Sequence, residues 1–134
     1  EQAGLAYYAY SQVSGGMGPG PWAVMAGVNP TNVEKAIALI RTEIERIVTE
    51  PIEEEELSDS KANFIGRLPL ALESNSGVAG ALINLERYDL GMGFYLEYAD
   101  MIDAVTPQDA LAAAQRYLHP DKLAIAIAGP EKQT

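Results

Sequence analysis

The sequence has no cysteine and a single histidine, His119, among its 134 residues. Without cysteine there can be no disulfide, no thiolate metal site and no cysteine nucleophile, and the redox compartment is left open. One imidazole cannot build a zinc site, which needs three or four converging ligands. Positive charge is also scarce: nine Lys and Arg face 19 Asp and Glu, for a formal net charge of −10. That balance disfavours binding a nucleic-acid backbone, where basic side chains displace counterions, and docking on an anionic membrane surface. No apolar run is long enough to cross a bilayer, and the most apolar window, Leu123 to Ala128, has the length of a strand. No signal peptide is visible. The first residue is Glu1 rather than Met, so a piece trimmed from a longer protein is the expectation.

What remains is an ordinary globular composition, 48% hydrophobic and 21% charged, with room for one compact domain over residues 1–134. Residues 5–14 alternate, with Leu5, Tyr7, Ala9, Ser11 and Val13 on one face and Ala6, Tyr8, Tyr10 and Gln12 on the other. Residues 21–28 alternate likewise, and the glycine-rich run Gly15–Gly20 between them predicts an antiparallel hairpin. Asn29-Pro30 reads as a helix start. The helix behind it carries Val33, Ile37, Ile40, Ile44, Ile47 and Val48 on one face and stops at Pro51.

A second helix from about Glu53 should bury Leu57, Phe64, Ile65, Leu68 and Leu72, with Pro69 kinking or ending it. Asn75-Ser76-Gly77 predicts the cap of a third helix with Val78, Leu82 and Leu85 inward, broken by Gly91 and Gly93. Tyr95–Ala104 reads as a fourth, anchored by Leu96, Met101 and Ile102. Thr106-Pro107-Gln108-Asp109 has the form of a capped start for a fifth, packed by Leu111, Ala114 and Leu118. Residues 122–128 predict a third strand. Two strands, a block of helices and one more strand make an α+β architecture, with helices collected on one face of an antiparallel sheet over about 5–14, 21–28 and 122–128. Three strands are a narrow sheet with exposed edges, which points to strands of the same domain outside this chain.

The polar residues form no catalytic constellation. His119, at a helix end before Pro120, is expected to cap rather than to ligate a metal. No serine sits in a nucleophile-elbow context. Glu53-Glu54-Glu55-Glu56 diverge around a helix and cannot surround one ion, whereas acids in a first turn favour the helix dipole. The Gly15–Gly20 run lacks the Lys and Ser or Thr of a phosphate loop and precedes a strand. Tyr7, Tyr8 and Tyr10 lack the basic neighbours of a nucleic-acid stacking platform. A small-molecule pocket on that face has only the mixed apolar and tyrosine character to support it.

Four features in order do carry a resemblance. They are Glu1-Gln2-Ala3-Gly4-Leu5-Ala6-Tyr7, Asn29-Pro30 at a helix start, Glu54-Glu55-Glu56-Leu57 with Lys61, and Ala104-Val105-Thr106-Pro107-Gln108-Asp109 before Arg116-Tyr117-Leu118. Together they resemble the C-terminal, non-catalytic domain of the pitrilysin/insulinase zinc-metallopeptidase family, over nearly the whole chain. That family includes the mitochondrial processing peptidase, bacterial processing proteases and the core subunits of the cytochrome bc1 complex.

The resemblance implies the later part of a metallopeptidase-type αβ domain, with no catalytic residue and no metal ligand of its own. The zinc would sit on a partner domain or subunit, in an inverted His-x-x-Glu-His motif that is absent here. The two domains would close as a homo- or heterodimer, or within one chain, around an extended peptide. An Arg and a Tyr of the inactive domain then approach the substrate: Tyr7 matches the Tyr, and the Arg would fall immediately before Glu1. The alternative is a scaffold or assembly subunit with no proteolytic role, as the bc1 core subunits illustrate. In a bacterium the compartment would be cytoplasm or periplasm.

Overall fold

The computed structural model describes residues 4–130, so the first three residues of the Glu1–Tyr7 motif lie outside the described residues. The chain divides into two compact units, residues 1–49 with 115–134 and residues 50–114.

In the first unit, β1 (Ala6–Val13) and β2 (Trp22–Val28) pair antiparallel. The amide of Ser14 donates to the carbonyl of Pro21 at 3.0 Å and closes the glycine-rich loop. Asn29 then caps the chain's entry into helix: its Oδ1 accepts from the Thr31 amide at 3.0 Å and the Thr31 hydroxyl at 2.8 Å. Pro30–Asn32 is a single 3₁₀ turn, and α1 (Val33–Thr49) follows directly. The apolar stripe of α1 packs on β2 and on a second 3₁₀ turn, Pro120–Lys122. Ile44 is the buried member of the expected stripe and Ala36, outside it, is buried too, whereas Ile47, expected inward, is 44% exposed. At the far end of α1 the Gln115 side chain donates to the Val48 carbonyl at 3.1 Å, serving one of the orphan acceptors of a helix terminus.

The expected third strand does not form. Residues 123–128 carry no strand pairing, and the sheet among the described residues has only β1 and β2. Alternation in Leu123–Ala128 sets a side-chain period of two, but a strand also needs a neighbour to complete its ladder.

The second unit holds α2 (Glu54–Ala71), α3 (Asn75–Arg87), α4 (Phe94–Asp103) and the first residues of α5 (Pro107–Tyr117). Pro69 neither ends nor interrupts α2, which continues to Ala71, two residues further. Its missing N–H leaves a single helix bond unmade in the last turn, and the Leu72 amide closes that turn on the Leu68 and Pro69 carbonyls at 3.2 and 3.1 Å. The cap of α3 is Ser74, one residue before the expected run: its Oγ accepts from the Gly77 amide at 3.0 Å.

The stop of α3 is also earlier than Gly91. Asp89 adopts φ 50°, the Asp89 amide donates to Glu86 at 3.4 Å, and the Leu90 amide donates to Leu85 at 3.0 Å. Those two bonds around a left-handed residue form a Schellman terminus, here with Asp where glycine is usual. Gly91, at φ 80°, then turns the chain toward α4. At the start of α5, Thr106 and Asp109 form a reciprocal cap. The Thr106 amide donates to Asp109 Oδ2 at 2.9 Å, and the Asp109 amide donates to Thr106 Oγ1 at 3.2 Å.

The second unit buries Leu57, Leu85 and Ala114, the last on α5 as expected. Phe64, Val78, Leu82, Leu96 and Met101, all expected inward, are exposed. On α4 the reason is a change of face: Phe94, Tyr95 and Tyr98 turn inward instead, so Leu96 lies opposite at 86% exposure.

Candidate functional site

The architecture puts the one residue singled out for substrate contact, Tyr7, at an irregularity. Ala6 pairs with Val28, but the next pair is Tyr8 with Gly27, so two residues of β1 oppose one step of β2. Tyr7 is the extra residue of a β-bulge. Bulges re-aim side chains and are over-represented beside active sites. The Tyr7 side chain is 87% exposed, the most exposed of the tyrosines in β1.

The bulge also reassigns the strand's faces. Regular alternation would group Ala6 with Tyr8 and Tyr10; pairing instead sets Ala6 opposite Val28, on the side of Ala9 and Ser11. Tyr8 and Tyr10 remain together, ring centroids 6.1 Å apart, facing Gly27 and Met25 of β2. The Tyr10 hydroxyl donates to Met25 Sδ at 2.9 Å. Gly27 leaves the space that the Tyr8 ring occupies, since a β-carbon there would overlap three of its ring carbons. Sequence reasoning missed this pair; a glycine inside an alternating strand beside a tyrosine-rich partner was the available signal.

Trp22, Val24, Ala26 and Val28 of β2, with Ile37, Ile40 and Ile44 of α1, line a cavity of about 970 Å³ in the same unit. Leu123, Ile125 and Ile127 line it too, as do the polar side chains of Arg41, His119 and Lys122. Both β2 and the 123–128 segment therefore border this space with backbone that has no strand partner there.

His119 does not cap α5. It lies two residues beyond the helix, at the N-cap position of the Pro120–Lys122 turn, and its imidazole makes no side-chain capping bond. Its carbonyl accepts from the Lys122 amide at 2.9 Å. Glu54, Glu55 and Glu56 occupy the first turn of α2, where the helix dipole favours acids. Among the described residues there is no group of three or more His, Cys, Asp or Glu able to hold a metal ion. Zinc therefore does not fit the donor set of the described residues. No helix is long and apolar enough to cross a membrane among the described residues. Asp109 is the titratable group with a clear shift: hydrogen bonds from the Thr106 side chain and then its backbone hold the carboxyl below the usual range.

Residues 1–64 match the family described as Peptidase M16 inactive domain. A zinc protease of Streptomyces coelicolor, itself described as uncharacterized, is 30% identical over 136 residues, covering 98% of this chain and 28% of the relative. The crystal structure of a protease from Helicobacter pylori shares the fold, with TM-score 0.61 and 22% identity over 89% of this chain and 29% of the other. The chain thus spans between a quarter and a third of the length of these relatives. The inactive-domain match covers β1, β2, α1 and the first half of α2, the region that contains the Tyr7 bulge.

Proposed function

We propose that the chain is the substrate-clamping, non-catalytic part of a zinc-dependent endopeptidase. The zinc sits on a separate domain or subunit, and the substrate is an extended peptide. Tyr7 contacts that peptide, its phenol donating to a carbonyl or to the oxyanion that develops during cleavage. The observation that carries the reading is the position of Tyr7: on a β-bulge, 87% exposed, inside the segment matching the inactive-domain family. An aromatic held out from a strand in this way contributes little to packing, which favours a partner outside the unit.

The test is Tyr7→Phe in the full-length protein that contains this chain. Peptide cleavage should fall in kcat/KM by about tenfold or more, since a transition-state donor is lost. Thermal stability should stay within about 0.5 kcal/mol, as expected for an exposed side chain. Cleavage should also stop on chelation and return with zinc. Unchanged turnover in Tyr7→Phe would remove Tyr7 from the mechanism, and cleavage insensitive to chelation would remove zinc.

A further inference from the structure

The second unit contains a cleft of about 430 Å³ with an aromatic lining. Phe94 and Tyr95 of α4 meet edge to face at 5.2 Å between centroids, and Tyr98 lies 6.1 Å from Phe94. Phe64 of α2 and Tyr88 at the end of α3 complete the aromatic wall. Such a volume lies at the small end of ligand sites, which run from about 300 to 1,000 Å³. It suits one or two amino-acid residues rather than a long segment.

The polar groups of the cleft are selective. Arg67 contributes its only cationic side chain, and no Asp or Glu lines it. The Arg67 guanidinium pairs with no carboxylate among the described residues. Asn84, the side-chain amide of the lining beside the tyrosine hydroxyls, makes no side-chain hydrogen bond among the described residues either. A guanidinium presents a planar fork that matches a carboxylate in two bonds. Asn84 offers a donor and an acceptor together, the complement of an amide.

From this arrangement we infer that the cleft is a binding site for the C-terminal residue of a peptide, aromatic or otherwise large and apolar. The side chain enters the aromatic wall, the terminal carboxylate pairs with Arg67, and Asn84 meets the last peptide amide. A free amino acid fits less well, because its ammonium would find no acid in the lining. The site is distinct from the Tyr7 region and does not depend on the role proposed for it.

Ligand-observed saturation-transfer NMR on the full-length protein, with N-acetyl-L-phenylalanine, its C-terminal amide and free phenylalanine as probes, tests the assignment. The acetylated acid should bind about three- to tenfold more tightly than the amide, a modest factor because Arg67 is exposed. Free phenylalanine should bind more weakly than the acetylated acid. Arg67→Gln should abolish the difference between acid and amide, and Arg67→Lys, which keeps the charge without the fork, should retain part of it. Tyr98→Ala should weaken both acetylated probes together. Equal binding of acid and amide, a preference that survives Arg67→Gln, or free phenylalanine binding as well as its acetylated form would each overturn the proposal.

Discussion

The ring of Tyr8 lies over Gly27, its partner across the β1–β2 ladder, in space that any β-carbon at position 27 would take. The contact links the glycine to the bulge, because Tyr8 is the first residue paired after Tyr7. Both atoms of contact and fold consequence can be separated experimentally, since Tyr8 is 57% exposed and has room to swing aside.

Gly27→Ala should therefore cost less than about 1 kcal/mol and leave the hairpin paired, with Tyr8 displaced from the strand. In a Tyr8→Ala background the same substitution should cost nothing or stabilise slightly, since alanine loses less backbone entropy than glycine on folding. A double-mutant cycle by chemical denaturation measures the coupling, expected at about 0.5–1 kcal/mol. Additive effects would show that the two residues do not interact.

At the end of α3, Asp89 holds a left-handed conformation at φ 50°. Glycine adopts that region without the β-carbon penalty of about 1–2 kcal/mol, which Asp reduces by local hydrogen bonding. Asp89→Gly should stabilise the terminus by about 0.5 kcal/mol, net of glycine's greater freedom when unfolded. Asp89→Val should destabilise it by more than about 1 kcal/mol. Slower amide exchange at Leu90 in the glycine variant, and faster exchange in the valine variant, would be the direct readout.

Lys61 on α2 donates to the carbonyl of Asp103 at 2.8 Å, the last residue of α4. A cation at a helix C-terminus also meets the negative end of the dipole. Lys61→Met keeps the aliphatic stem and removes both effects, at a cost of about 0.5–1.5 kcal/mol. Exchange at the Ala104 and Val105 amides, which close the end of α4 on Asp100 and Ile102, should accelerate.

The Thr106–Asp109 cap has a pH dependence of fixed sign. Asp109 titrates below its unfolded value because the Thr106 hydroxyl and amide both donate to the carboxylate. Its contribution is present above an unfolded pKa of about 3.9 and is lost as pH falls through the lower folded value. Asp109→Asn should flatten this acid-limb dependence while leaving neutral-pH packing intact. Thr106→Ala removes the hydroxyl acceptor and should cost about 1 kcal/mol at neutral pH, read as faster exchange at the Asp109 amide.

Much of this was legible in the residue order because it is local. Asn29 before Pro30 starts a helix since an Oδ1 two residues from an orphan amide caps it without help from elsewhere. Thr106 and Asp109 satisfy one another for the same reason. The glycine run from 15 to 20 turns a hairpin, and the ligand count, one histidine and no cysteine, precludes a His- or Cys-built zinc centre before any coordinates are known.

Tertiary structure decided what depends on a partner. Leu123–Ala128 alternates like a strand yet pairs with nothing, because hydrogen-bond partners come from elsewhere in the fold. Regular alternation placed Ala6 beside Tyr8, and only the register across β2 reveals the extra residue that turns Tyr7 out. Leu96 and Phe94 are both apolar and both helical, so hydropathy could not choose between the two faces of α4; packing of α4 on α2 did. The fold of the second unit also brought Arg67 and Asn84, 17 positions apart in sequence, to one cleft. A cap needs its own neighbours in the chain, whereas a face, a register or a cleft needs the rest of the molecule.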